Sequence, residues 1–103
     1  GNADTLKIEL RVLAIQTKAF GATSEQTAQS EETIGFIYEQ MEQPKLAEKW
    51  FRKAIESAKG TCPGSCGTLL GAYDALHDLL REQPGREAEA REIQELSDAV
   101  SAN

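Results

Sequence analysis

The sequence predicts an all-α fold in which antiparallel helical hairpins stack on one another. Apolar residues recur at helical spacing through most of the chain, and this pattern repeats at an interval of 42 residues. The composition agrees, because 40% hydrophobic and 27% charged residues are ordinary for a globular domain. The 103 residues are enough for one small domain, which we expect to span residues 1–103 and to be part of a larger protein.

The charge and the apolar pattern argue against several classes of protein. A net charge of −6 leaves no basic face for phosphate groups, so we expect no nucleic-acid partner. No apolar run approaches the roughly 20 residues of a membrane-spanning helix, and no signal-peptide pattern opens the chain. No phosphate-binding loop, catalytic triad or dinucleotide fingerprint is present. We therefore expect no membrane insertion, no cofactor and no enzymatic activity, and we expect a cytoplasmic location.

The first helix is predicted over residues 5–20. Asp4 or Thr5 is placed to cap its start, and Gly21 is placed to close its end in a left-handed conformation. Its broad apolar face is typical of a helix packed on two sides, and consists of Leu6, Leu10 and Leu13 beside Ile8, Val12 and Ile15. This face predicts a missing neighbour, which is either an adjacent repeat in the parent chain or another subunit of a homo-oligomer.

Residues 24–42 and 44–59 are predicted to form a helical hairpin, the best-formed part of the pattern. Ser24 is a good N-cap, and the polar start of its helix, residues 26–33, is expected to bury little. Pro44 suits the first turn of the second helix. Small residues alternate with large ones so that the two helices can interlock: Gly35, Ala47 and Ala54 beside Tyr38, Trp50 and Phe51.

Two further helices are predicted over residues 65–83 and 86–101. Ser65 or Thr68 can cap the fourth helix, and the sequence Gln83-Pro84-Gly85 stops it. The fifth helix has one thin apolar stripe and a charged outside, which is typical of the end of a stack. A shift of 42 residues places Ile34 on Leu76, Ile37 on Leu79, and Phe51 on Ile93. The five helices therefore correspond to two and a half copies of a two-helix unit.

The segment from Ala14 to Ile55 carries a series of short motifs: Ala14-Ile-Gln-Thr-Lys-Ala-Phe-Gly21, Thr27-Ala28, Ile34-Gly35-Phe-Ile-Tyr38, Ala47-Glu48, Phe51 and Ala54-Ile55. These motifs resemble the tetratricopeptide repeat (TPR), and more narrowly its 42-residue variety of the kinesin light chain type. The resemblance is weaker over residues 62–103. It also departs at Glu42-Gln43, where the family usually has Gly followed by Arg or Lys. It implies a short right-handed α-solenoid of about 2.5 repeats.

By this resemblance, the first helix of each repeat lines a concave groove that receives a protein partner. The implied peptide-binding residues are Gln29, Glu32, Phe36, Glu39, Gln40, Asp74, Asp78 and Arg81, and Gly71 and Glu82 lie on the same side of the groove. Their carboxylates favour a basic or amphipathic peptide, with Phe36 as a hot spot. They have the wrong sign for the acidic tails of chaperones. The alternative is a solvated acidic face without a ligand.

The segment from Cys62 to Cys66, with the sequence Cys-Pro-Gly-Ser-Cys, is the most conspicuous short motif. Its two thiols, four residues apart in a loop, are able to form a disulfide, to supply half of a zinc site, or to stay free. Zinc needs four ligands, and the only histidine, His77, is expected to pack in a helix contact. We therefore expect no metal site, while the disulfide and the free thiols both stay open.

The sequence as a whole predicts a protein–protein interaction module whose acidic groove binds a basic or amphipathic peptide. Two alternatives stay open. One is an architectural or self-association segment of a larger protein, and the other is a regulatory domain fused to an enzyme elsewhere in the parent chain.

Overall fold

The structure is a computed structural model that describes residues 1–102, and it contains five helices joined by short turns. They are α1 (Asn2–Phe20), α2 (Glu25–Gln40), α3 (Pro44–Lys59), α4 (Gly67–Arg81) and α5 (Glu87–Ser101). Each helix packs on the next, and α2 also contacts α4. Helices α2–α3 and α4–α5 are therefore two hairpins placed side by side, preceded by the single helix α1. The predicted all-α stack of hairpins is confirmed.

The core lies among α2, α3, α4 and α5, and it follows the 42-residue repeat. Ile34 and Leu76, which coincide at that interval, are both fully buried, and Phe51 and Ile93 are buried as well. Gly35 allows the close approach of α2 and α3, because a Cβ at this position would stand 2.6 Å from two ring atoms of Phe51. The predicted pairing of a small residue with a large aromatic one is confirmed here.

The turn from α1 into α2 is held by the predicted N-cap. Ser24 Oγ accepts the Thr27 N–H at 3.1 Å, and Thr27 Oγ1 donates to the Gly21 carbonyl at 2.7 Å. Gly21 has φ 93° and ψ 164°, a conformation open mainly to glycine. It differs from the predicted left-handed helical conformation because the chain leaves α1 extended.

The turn between α2 and α3 is a Schellman motif, in which two amide groups satisfy the last carbonyls of α2. Gln43 N–H donates to the Tyr38 carbonyl at 2.9 Å. Glu42 N–H donates to the Glu39 carbonyl at 3.0 Å. Glu42 consequently adopts φ 58°, which glycine accepts at lower cost. Pro44 opens α3 at its first turn, as predicted.

Helix α1 begins earlier than the sequence predicts. Neither Asp4 nor Thr5 caps it. Gly1 occupies the cap position, and Thr5 Oγ1 donates to the Gly1 carbonyl at 3.1 Å. The helix extends because nothing between Asn2 and Asp4 breaks it. No residue of α1 is buried. Within residues 1–102, no helix combines the length and the apolar content needed to cross a bilayer.

Helix α4 begins without a side-chain cap. Cys66 occupies the cap position, so the prediction that Ser65 or Thr68 caps this helix is wrong. Both hydroxyls bind Glu25 of α2 instead, since Glu25 Oε1 accepts from Ser65 Oγ at 3.2 Å and from Thr68 Oγ1 at 3.1 Å. The start of α4 is therefore tied to the start of α2.

Candidate peptide-binding face

The outward sides of α2 and α4 form one surface, which we call the α2–α4 face. It contains the predicted binding residues Gln29, Glu32, Phe36, Glu39 and Gln40 on α2, and Gly71, Asp74, Asp78, Arg81 and Glu82 on α4. The contact between α2 and α4 brings these two sets of residues next to each other. At one end, Gln29 Nε2 lies 3.5 Å from Thr68 Oγ1 and so bridges the two helices.

Glu32 lies in the seam between α2 and α4, against Gly71. Its Oε2 atom is buried and has no hydrogen-bond partner within the described chain. A Cβ at Gly71 would stand 3.1 Å from that oxygen, so the glycine makes room for the carboxylate. Burial raises the pKa of Glu32 above its ordinary value. Glu32 is therefore a half-buried residue of the seam, and its role in peptide binding stays a prediction.

Three carboxylates lie near enough to act on one another further along the face: Glu39, Asp78 and Glu82, which we call the acidic cluster. Glu39 is half-buried, and its pKa is raised first by burial and then by the negative charges of Glu82 and Asp78. Arg81 Nη2 reaches Asp78 Oδ1 at 3.8 Å, but the Arg81 side chain is 68% exposed. Such an exposed pair contributes little, so the cluster keeps a negative charge.

Asp78 has a second neighbour in His77. The Nδ1 atom of His77 lies 3.2 Å from Asp78 Oδ1, and the imidazole itself is half-buried. His77 is thus half-buried beside the acidic cluster, and its packing in a helix contact stays a prediction.

An aromatic ring stands on the same face of α2. Phe36 is 41% exposed, and its ring packs edge-on against the buried ring of Phe51, with 5.1 Å between centroids. This contact holds the exposed ring in place. Gln40 and Asp74 are exposed, and neither side chain forms a hydrogen bond with another residue of the described range. The face therefore offers a fixed apolar contact beside free polar groups.

The start of α2 contains a buried glutamate, Glu31, that the sequence did not lead us to expect. The prediction that residues 26–33 bury little is wrong, because Thr27, Ala28, Ser30 and Glu31 are buried. Glu31 accepts a hydrogen bond from Ser57 Oγ of α3. Burial raises the pKa of Glu31, and this outweighs the opposing effects of Ser57 and Lys53. One signal was available, since the 42-residue shift places Glu31 on Tyr73, an apolar position of the fourth helix.

The loop before α4 contains a disulfide between Cys62 and Cys66. Because both sulfur atoms are paired, the alternatives of free thiols and of a zinc site do not describe this structure. Among residues 1–102, no three His, Cys, Asp or Glu side chains gather as metal ligands would. Disulfides are more typical of oxidising compartments than of the cytosol, so the cytoplasmic location stays a prediction.

The comparison with known families agrees with this architecture. A family model described as tetratricopeptide repeat matches residues 4–60, which is more than half of the chain and covers α1 to α3. No curated protein and no solved structure matches the chain. The narrower likeness to the kinesin light chain type stays a prediction. The structure continues the same hairpin stacking through α4 and α5, beyond the matched residues. The chain therefore belongs to the tetratricopeptide repeat family, a non-catalytic scaffold whose repeats mediate protein–protein interaction.

Proposed function

We propose that the α2–α4 face binds a basic or amphipathic basic segment of a protein partner. The acidic cluster is the observation that carries this proposal. Three carboxylates lie close enough that two of them raise the pKa of the third, Glu39, and the neighbouring guanidinium of Arg81 is loosely held. A Lys or Arg side chain placed among them would relieve this repulsion. The bound state therefore gains electrostatic energy that the free protein lacks.

The charge of the supporting helix agrees with a basic ligand. Helix α2 contains four glutamates and no Lys or Arg. Two of these glutamates, Glu32 and Glu39, lie on the face, and the exposed carboxylates of α4 face the same way. An acidic peptide would meet repulsion along the whole surface, so we expect the face to discriminate by charge.

Phe36 supplies the apolar part of the proposed site. Its ring is exposed yet held by Phe51, so little side-chain entropy is lost when a ligand covers it. The aliphatic stem of a Lys or Arg side chain can pack on such a ring, and its cationic head can then reach the carboxylates of the acidic cluster. This arrangement favours an amphipathic basic segment over a uniformly charged one.

A titration of fluorescently labelled peptides tests the proposal. The probe is an amphipathic peptide of alternating Lys and Leu, and an acidic peptide of the same length is its control. The double variant Glu39→Lys with Asp78→Lys should weaken binding of the basic peptide by about tenfold or more, which corresponds to at least about 1.4 kcal/mol. Binding by the unaltered protein should also weaken as salt is added, because the attraction is screened.

The matched control changes the net charge equally on the other surface. Glu56→Lys with Glu87→Lys alters α3 and α5 and should leave binding nearly unchanged. Phe36→Ala should weaken the amphipathic peptide more than a purely cationic one. Glu32 is unsuitable for charge reversal because a new cation in the seam would disturb the contact of α2 with Gly71. If the two double variants weaken binding to the same degree, the interaction is only an effect of net charge and the proposed site is wrong.

A further inference from the structure

Helix α1 carries an apolar face that no other part of residues 1–102 covers. Among the described residues, seven large apolar side chains are exposed, and four of these lie on α1: Ile8, Leu10, Ile15 and Phe20. Ile8 and Ile15 are 57% and 67% exposed, and they stand two turns apart on one side of the helix. Leu10 and Phe20 lie on other sides of the helix, so the open apolar stripe consists of Ile8 and Ile15 with the half-buried Val12 between them. Such a stripe on a helix that lacks a neighbour marks a contact surface.

On α3, the face that corresponds to the open face of α1 is covered by another helix. The 42-residue shift places Ile15 at the position of Ser57, and Arg11 at the position of Lys53. Ser57 is buried and donates to Glu31 of α2, and the positive charge of Lys53 acts on the same carboxylate. A basic helix, α3, is thus covered by an acidic one, α2. By this internal template, the helix that fits the open face of α1 is acidic and partly apolar.

The opposite end of the stack presents such a helix. Helix α5 contains five acidic residues and one basic residue. Its Leu96 is 49% exposed, and Glu92 and Glu95 line the same surface depression, which has a volume of 360 Å³. The 42-residue shift places Leu96 on Ala54, which is fully buried between helices. In a longer TPR stack, the helix that follows α5 would therefore cover the position of Leu96.

The charged residues around the two open ends are complementary. Arg11 and Lys18 flank the exposed stripe of α1, while Glu92 and Glu95 flank Leu96 on α5. None of these four side chains forms an ion pair with another residue in the described range. Asp4 also lies beside this stripe, but Arg11 and Lys18 outnumber it, so a second α1 would meet more repulsion there than the acidic α5 does. The charges therefore favour α5 as the occupant.

We propose that copies of this chain associate head to tail, with α5 of one copy on the exposed face of α1 of the next. Contact of Leu96 with Ile8 and Ile15 would bury apolar surface, and the acidic residues of α5 would set the orientation against the cations of α1. Because the two surfaces differ, the contact is heterologous and one association leaves two ends open. The average mass should consequently grow with concentration instead of stopping at a dimer.

Analytical ultracentrifugation over a wide range of concentrations tests this arrangement. The unaltered protein should show a mass that rises steadily as concentration increases and falls again in high salt. Ile15→Asp blocks α1 and Leu96→Asp blocks α5, and each variant should be a monomer by itself. Both positions are exposed, and circular dichroism verifies that the variants stay folded. Leu46→Asp, an exposed apolar position on α3, is the matched control and should associate like the unaltered protein.

Mixing the two blocked variants separates head-to-tail association from every symmetric arrangement. The intact α5 of Ile15→Asp can bind the intact α1 of Leu96→Asp, so an equimolar mixture should form a dimer and grow no further. A Leu96→Asp variant that still associates by itself would show that α1 pairs with α1, which overturns the proposal. A protein that stays monomeric at all concentrations would overturn it as well, and would leave the face of α1 to another segment of a longer chain.

Discussion

Helix α2 makes two very different contacts, one with α3 inside its own hairpin and one with α4 in the next hairpin. Toward α3, Gly35 lies so close to the buried ring of Phe51 that a Cβ would stand 2.6 Å from it. Toward α4, Gly71 lies beside the flexible end of Glu32, at 3.1 Å from the position of a Cβ. The hairpin is therefore closely packed, whereas the contact of α2 with α4 retains room and an unpaired carboxylate oxygen. A repeat protein with this construction can adjust its binding surface without loosening its units.

Replacement of Gly35 and of Gly71 by alanine tests the difference between the two contacts most directly. Gly35→Ala should destabilise the protein by about 1–3 kcal/mol, because the fully buried Phe51 has no room to move. Gly71→Ala should instead be neutral or stabilise by up to about 1 kcal/mol, since alanine favours the helix and the Glu32 carboxylate can turn aside. Urea denaturation of both variants measures the difference. Equal losses at the two positions would show that the junction between hairpins is as closely packed as the hairpin itself.

A smaller effect is expected from Glu32→Gln. Glutamine keeps the shape of the side chain and removes a charge that burial disfavours. We expect it to stabilise the protein by about 1 kcal/mol at neutral pH, and not by more, because the side chain is only partly buried and water screens its charge. Glu56→Gln, at an exposed position of α3, is the control and should have almost no effect.

The pH dependence of the free energy of unfolding provides a second test of Glu32→Gln. Burial raises the pKa of Glu31, Glu32 and Glu39 above the ordinary 4.5. A group with a raised pKa stabilises the fold fully below its unfolded pKa, and this contribution is lost as pH rises through the folded pKa. The free energy of unfolding should therefore increase as pH falls from 7 toward about 4.5. Glu32→Gln should reduce that increase.

The ion pair of Glu48 on α3 with Arg86, the cap residue of α5, supplies the contrasting behaviour. Arg86 donates to Glu48 at 2.6 and 2.9 Å, and this pairing is the main cause that lowers the pKa of Glu48. A lowered pKa stabilises the fold above pH 4.5, and that contribution is lost at lower pH. Stability should consequently rise as pH falls from 7 and decline again below about pH 4.5. A stability that falls continuously as pH decreases from 7 would contradict the raised pKa of the α2 carboxylates.

The contrast between these regions also shows what the sequence could predict. The hairpins and their core were predictable because burial follows the 42-residue interval, as at Ile34 and Leu76. The Ser24 cap was predictable because it depends on neighbouring residues alone. The burial of Glu32 was not, because its surroundings come from Gly71, which local periodicity does not connect to it. The burial of Glu31 against Ser57 was indicated only by the 42-residue shift that places Glu31 on Tyr73. The proximity of Glu39 to Asp78 and Glu82 was not predictable either, because these residues are distant in the sequence.

The smallest expected effect on stability concerns the turn that closes the α2–α3 hairpin. Glu42 adopts φ 58°, which costs a side chain-bearing residue roughly 1 kcal/mol, and the family usually has glycine there. Glu42→Gly should relieve this strain, but glycine also gains entropy in the unfolded chain. We therefore expect a net stabilisation of about 0.5 kcal/mol, measured by urea denaturation, with Glu42→Ala giving no gain because its Cβ keeps the strain. If glycine and alanine behave alike, the benefit comes from removing the charge, and the close packing of this hairpin includes no strained turn.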